Sequence, residues 1–206
     1  MQALLRLSRG VDWLNTQVGK IVIWLILGSA GISALNAIVR KVFDTSSNAF
    51  LEVQWYLFAA SFLLAAGYTL LQGEHVKVDV LSSRFAKRTQ IWIEIFGFLC
   101  FLTPMCLAVL WYGTPFFLRG LASGEMSSNA GGLIRWPVYL MIPAGFTLLL
   151  LQGWSELIKR VAFLQGLIED PTAKKAEKSA EEELAEAIRN LAEAAKGSSQ
   201  NKTLGS

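Results

Sequence analysis

Histidine and cysteine are almost missing from this sequence: one His and two Cys among 206 residues. A single histidine makes a two-His metal site or a His-paired haem impossible within one chain. Any Ser-His-Asp or Cys-His catalytic arrangement would have to use His75, and no nucleophile-elbow motif lies near it. P-loop, GxGxxG and HExxH patterns are absent too. Cys100 and Cys106 share one apolar run but face different sides of a helix, so they cannot bridge and read as small buried hydrophobes. Charge is scarce, at 17% of residues against 53% hydrophobic. The net charge of +3 is not gathered into a basic patch interleaved with aromatics, which excludes nucleic acid as a partner. Neither catalysis nor a cofactor finds residues to carry it, and none is expected.

What the chain has instead is long uncharged runs. Residues 21–39, 53–73, 95–118 and 136–155 contain no Asp, Glu, Lys or Arg. At about 1.5 Å per residue, a helix over 53–73 is about 30 Å long, the thickness of a bilayer's hydrocarbon core. The runs are apolar on all sides, unlike a surface helix. The expected fold is an all-α membrane protein with four transmembrane helices, at about 20–40, 52–73, 92–117 and 136–157, within a domain covering 20–164. Small residues on the first span, Gly28 and Gly31 among them, offer a face for close helix approach.

Around these spans the chain is polar or amphipathic. In 1–19, Leu4, Leu7, Val11, Leu14 and Val18 recur at helical spacing with Arg6, Arg9, Asn15 and Gln17 off that stripe, which predicts an interfacial amphipathic helix rather than a cleaved signal. Asn48 is placed to cap the second helix, with Glu52 near its positive dipole end. Thr103-Pro104 predicts a kink, Trp136-Pro137 a helix start, and Pro143 a bent or unwound turn. Residues 119–135 read as a Gly/Ser/Asn-rich loop. From 165 onward a charged cytoplasmic helix is expected over 173–196, with Leu184, Ile188, Leu191 and Ala195 on one seam, then a disordered tail.

Lys and Arg set the orientation. Arg6, Arg9 and Lys20, then Lys77, Arg84, Lys87 and Arg88, then Lys159 and Arg160, outweigh Arg40, Lys41, Arg119 and Arg135 on the opposite loops. Both termini are therefore expected in the cytoplasm. Glu52, Glu74, Glu94 and Glu156 bracket the spans, where they anchor the interface or pair across helices. Arg40 is close enough in sequence to pair with Glu52, and Trp24, Trp55, Trp92, Trp111, Trp136 and Trp154 suit interfacial belts. Polar midplane groups, broken helices and repeated halves of the kind transporters use are few. The bundle reads as a subunit that leans on something larger.

Two motifs carry a family resemblance. Gly73-Glu-His-Val-Lys-Val-Asp79, with the Glu-x-x-Trp-Tyr pattern at Glu52–Tyr56, resembles the small membrane subunit of tripartite ATP-independent periplasmic (TRAP) transporters, the DctQ-like family. Ser123-Gly-Glu-Met-Ser-Ser-Asn-Ala-Gly-Gly-Leu-Ile-Arg-Trp-Pro137, with Tyr139 and Pro143-Ala-Gly145, resembles that family's approach to its last span. The resemblance covers about Leu4 to Leu164. It implies a bacterial inner-membrane heteromer in which a large DctM-like subunit carries the sodium-coupled transport and a periplasmic binding protein delivers an organic acid. This subunit would scaffold the large one and help dock the binding protein. Gly28, Gly31, Arg40, Glu52, Trp55, Glu74, His75, Asp79, Arg135, Trp136 and Pro137 are then the interface or structural candidates, besides the contact with the lipid bilayer itself. The Ser-Ser-Asn-Ala-Gly-Gly variant resembles members linked to 2-oxo or hydroxy monocarboxylates, or carrying mannitol/chloroaromatic labels. Two other readings fit the residues alone: a self-contained dimeric transporter with Glu52 or Glu94 as a proton-coupled site, or a membrane anchor for a redox enzyme.

Overall fold

Uninterrupted apolar sequence gives uninterrupted helix, because a backbone in lipid must satisfy its polar groups internally. The computed structural model describes residues 2–43, 47–73, 85–168 and 188. Within them lie four helices long and apolar enough to cross a membrane: α1 (Gln2–Phe43), α2 (Asn48–Gln72), α3 (Lys87–Ser123) and α4 (Trp136–Leu164). The all-α, four-span class expected from the uncharged runs is the observed one. Glu74, His75 and Asp79, and the expected tail helix apart from Ile188, lie outside the described residues.

Helix ends follow the local chemistry. Gly73, with φ of 78°, ends α2 in the left-handed region, and its N–H bonds back to Thr69 O and Leu70 O. Gly124, with φ of 60°, ends α3 in the same left-handed region. The first residue of the Gly73–Asp79 motif is thus a helix stop. Asn48 does not cap α2 as expected. Ser47 holds the cap position without a side-chain bond, and Asn48 reaches instead to Ala130 O at 3.1 Å.

Prolines disturb the helices less than the sequence suggests. Pro104 has no N–H, and its ring crowds the preceding turn. The helix widens ahead of it into a π turn over Phe98–Leu102, where the Thr103 N–H reaches Phe98 O and the Thr103 hydroxyl donates to the same carbonyl at 2.8 Å. α4 starts at Trp136 with Pro137 in its first turn and runs unbroken through Pro143. No unwound turn forms there, and the Thr147 hydroxyl donates to Pro143 O at 2.6 Å.

α4 is the hub. α1 and α2 pack on each other and on α4, while α3 packs chiefly on α4. α3 also meets α2 in a small cluster of Leu70, Cys106 and Leu149, flanked by Phe98, Leu102 and Phe146. Cys106 is fully buried there, but Cys100 is exposed, against the expectation for both. Lipid offers no hydrophobic drive between helices, so contact depends on close backbone approach and polar bonds. A Cβ on Gly145 would stand 2.6 Å from Leu63 O, and one on Gly19 2.6 Å from the Tyr68 ring. Gly28 is looser, 3.7 Å from Leu57, and Gly31 has nothing within 4 Å. The small-residue face foreseen at Gly28 and Gly31 therefore contributes little to packing within this chain.

α1 departs most from the sequence reading. No break separates 2–19 from the first span, and the 42-residue helix is about 63 Å long at ~1.5 Å per residue. The side it buries is Ser8, Asn15, Gly19, Val22 and Ser29, whereas Leu7, on the apolar stripe, is 63% exposed. The side that meets protein carries the small or neutral polar residues Ser8, Asn15 and Ser29, while Arg6, Arg9, Leu7 and Leu14 look outward.

Gly145→Leu should push α2 off α4, since the atom in the way is a backbone carbonyl. A loss of about 1–3 kcal/mol is expected, measured as a fall in the thermal unfolding midpoint in mild detergent, while Gly31→Leu should leave the midpoint unchanged.

Candidate functional site

Two polar assemblies hold the bundle, one at each end. At the end where α2 begins, Asn48, Glu52 and Tyr56 are successive turns of one helix face. They grip the 124–135 connection. Buried Glu52 accepts the Leu133 N–H at 2.7 Å and the Asn129 amide at 2.8 Å, one on each carboxylate oxygen. Asn48 donates to Ala130 O at 3.1 Å and the Tyr56 hydroxyl to Ile134 O at 3.2 Å. The connection is itself ordered by an antiparallel bridge between Met126 and Ile134 and by Ser127 N–H to Leu133 O at 2.9 Å. Arg135 closes its base on Glu125 at 2.8 Å, and its N–H bonds Glu125 O at 2.9 Å. The result is a compact crown, with Met126, Ser128, Ala130 and Gly131 turned outward.

At the opposite end, α4 carries Gln152, Ser155, Glu156, Lys159 and Arg160 on one helical face. Ser155 and Ser8 share a hydroxyl bond at 2.7 Å, and Asn15 donates to Gln152 at 2.9 Å. Gln152 and Ser155 both donate to Asp12, each at 2.9 Å, and Lys159 pairs with Asp12 at 2.7 Å. Arg160 links the hub to α3: its Nε reaches Glu94 at 2.6 Å, its Nη1 reaches Glu156 at 2.6 Å, and its guanidinium lies 4.7 Å from the Phe98 ring centroid. Ser8, Asn15, Gln152, Ser155, Glu156 and Arg160 are all buried. Charges removed from water in this way hold only when paired and hydrogen-bonded together, and here they are.

The candidates named from sequence fall unevenly on this frame. Glu52 and Arg135 belong to the crown, and Trp136 and Pro137 start the helix beneath it. Glu52 is not paired with Arg40, as the short connection suggested; Arg40 is exposed, and both Glu52 oxygens go to neutral donors of the crown. Trp55 is exposed on α2, as are Trp24 on α1 and Trp111 on α3. Sequence reasoning passed over Ser8, Asp12, Asn129, Gln152, Ser155, Lys159 and Arg160 as partners. A signal existed: Ser8, Asn15 and Ser29 keep a seven-residue register on α1, the first two meeting the polar face of α4 and Ser29 the Gln54 carbonyl of α2. No group of three or more His, Cys, Asp or Glu residues placed to hold a metal occurs among the described residues.

This geometry defines a class: a multi-pass helical membrane subunit whose buried polar groups fasten its own helices. The family model described as tripartite ATP-independent periplasmic transporters, DctQ component, matches residues 29–163, and the chain belongs to that family. It is accordingly a small membrane component of a TRAP transporter, and not an enzyme. Comparison of the sequence with curated proteins gives no match.

Glu52→Ala should release the crown, so that limited proteolysis cuts between 124 and 135 in the variant and spares the parent chain; Glu52→Gln, able to accept only on one oxygen, should fall between. Glu156→Gln leaves Arg160 and Lys159 short of an anion and should lower stability by about 3 kcal/mol, read from thermal unfolding in detergent. Glu125→Gln, at an exposed pair, should barely move the midpoint.

Proposed function

We propose that this chain is the static brace of a sodium-coupled TRAP importer of organic acids in a bacterial inner membrane. It enlarges and steadies the large transport subunit, and its crown offers part of the landing surface for the periplasmic binding protein. The observation that carries this reading is how the polar groups are used. The side chains buried between the helices bond mainly to one another, tying α1, α2 and α3 to α4, while outward aromatics such as Trp24 and Trp111 stay uncovered. A carrier needs polar groups facing a path for its solute. A brace needs a rigid interior and an apolar exterior for lipid and a neighbouring subunit.

The orientation proposed is termini inside and crown outside, on the balance of Lys and Arg. In it, α1 begins in or near the cytoplasmic headgroups and α4 ends on the cytoplasmic side. The substrate belongs to the partner subunits, and a 2-oxo or hydroxy monocarboxylate is the class favoured by the crown sequence.

Liposomes holding this chain alone should take up no organic acid under a sodium gradient, whereas adding the large subunit and the loaded binding protein should start uptake. Accumulation by the chain alone would hand the function to the self-contained transporter reading. Ser128→Cys should react with an impermeant maleimide on intact spheroplasts; labelling only after lysis would reverse the proposed orientation.

A further inference from the structure

At the crown end, α3 and α4 approach closely through two glycines of α3. Gly113 and Gly120 on α3 face Ile142 and Tyr139 of α4, where an added Cβ would stand 3.1 Å and 2.5 Å away. The short residues let α4 come close but leave the outer flank of α3 hollow. Two adjoining depressions of about 500 and 400 Å³ run there, meeting at Phe116 and Arg119. The apolar, more open part of the groove is lined by Ala108, Val109, Tyr112 and Phe116, and the Phe116–Tyr139 ring pair at 4.3 Å flanks its second part. Its mouth has one cation and one anion. Glu125 is held by Arg135 at 2.8 Å and also accepts from the Tyr139 hydroxyl at 3.4 Å. Arg119 is exposed and forms no ion pair among the described residues.

We propose that this groove seats one anionic phospholipid, with its phosphate on Arg119 and an acyl chain along Ala108–Phe116. Arg119 ends the uncharged run 95–118, so it sits at headgroup level when α3 spans a bilayer. A guanidinium grips a phosphate with two parallel hydrogen bonds. From Ala108 to Arg119 is about 16 Å along a helix at ~1.5 Å per residue, which accommodates much of an acyl chain on the apolar side. Charge complementarity picks the occupant: Glu125 is already neutralised by Arg135, whereas Arg119, with no ion pair among the described residues, stands above the apolar stretch Ala108–Phe116. The inference rests on α3 spanning the membrane and on nothing about the rest of the transporter.

The test is native mass spectrometry of the full chain in mild detergent, titrated with dioleoyl-phosphatidylglycerol or dioleoyl-phosphatidylcholine. One phosphatidylglycerol should be retained in preference to phosphatidylcholine. Arg119→Gln should weaken that retention about tenfold, as expected for one lost charge-assisted contact. Ala108→Trp, which fills the groove from an exposed position, should do the same. Arg40→Gln, at another exposed arginine of the same end, should leave retention unchanged. The proposal is overturned if Arg119→Gln holds the lipid as the parent does, or if Arg40→Gln loses it equally, which would mean unspecific charge attraction. It is also overturned if a cysteine at Val109 crosslinks to a neighbouring polypeptide in native membranes, since protein would then cover the groove. Should Ala108→Trp fail to fold, Arg119→Gln decides alone.

Discussion

Helix α4 can be the hub because Gly145 lets it lie directly on the Leu63 carbonyl of α2. In water, burial of apolar side chains would hold such helices together at almost any reasonable spacing. In lipid that drive vanishes, and van der Waals contact and polar bonds must serve. Close approach at Gly145 brings α1, α2 and α4 into register, and the register places Asn15 opposite Gln152 and Ser8 opposite Ser155. The order of dependence therefore runs from a missing side chain to the hydrogen bonds that follow.

The two polar assemblies use different chemistry because they answer different problems. At one end, a carboxylate with both oxygens engaged captures an irregular stretch of backbone, supplying acceptors that the short 124–135 turn cannot supply for itself. At the other, acids and bases from three helices neutralise each other around Arg160. In both assemblies the acids Glu52, Asp12, Glu94 and Glu156 are engaged by other groups of the bundle, so their polar groups go to shape.

Much of this was legible beforehand, and the limits are instructive. The uncharged runs gave four spanning helices because lipid tolerates little else. The crown was legible as a loop, and Glu52 as important, but Arg40 looked like its partner only because it was near in sequence. The real partners, Asn129 and the Leu133 N–H, come from across the bundle, and no local pattern announces a backbone donor. The amphipathic start of α1 carries a general point. An amphipathic stripe was assigned its apolar side toward an oily interface and its polar side toward water. Inside a membrane protein the polar side can instead be the one that needs protein, since lipid already accepts Leu7 and Leu14. Amphipathicity gives the seam of a helix but not which solvent lies on each side.

The buried polar seam of α1 also bears on the static role proposed for this subunit. A moving part requires two packings of comparable energy, and so needs contacts that can be exchanged without stranding buried charge. Sliding α1 by one turn against α4 would separate Asp12 from Lys159 and Asn15 from Gln152 at once. Moving α3 would strip Arg160 of Glu94 and of the Phe98 ring. Buried ions left unpaired are heavily penalised, so neither shift has a cheap second state. With the crown fastened at one end and the ion network at the other, the helices are tied at both extremities. The rigidity proposed for this subunit thus rests on where its charges are, and the proposed contact with lipid and a larger subunit falls to its outward apolar surface.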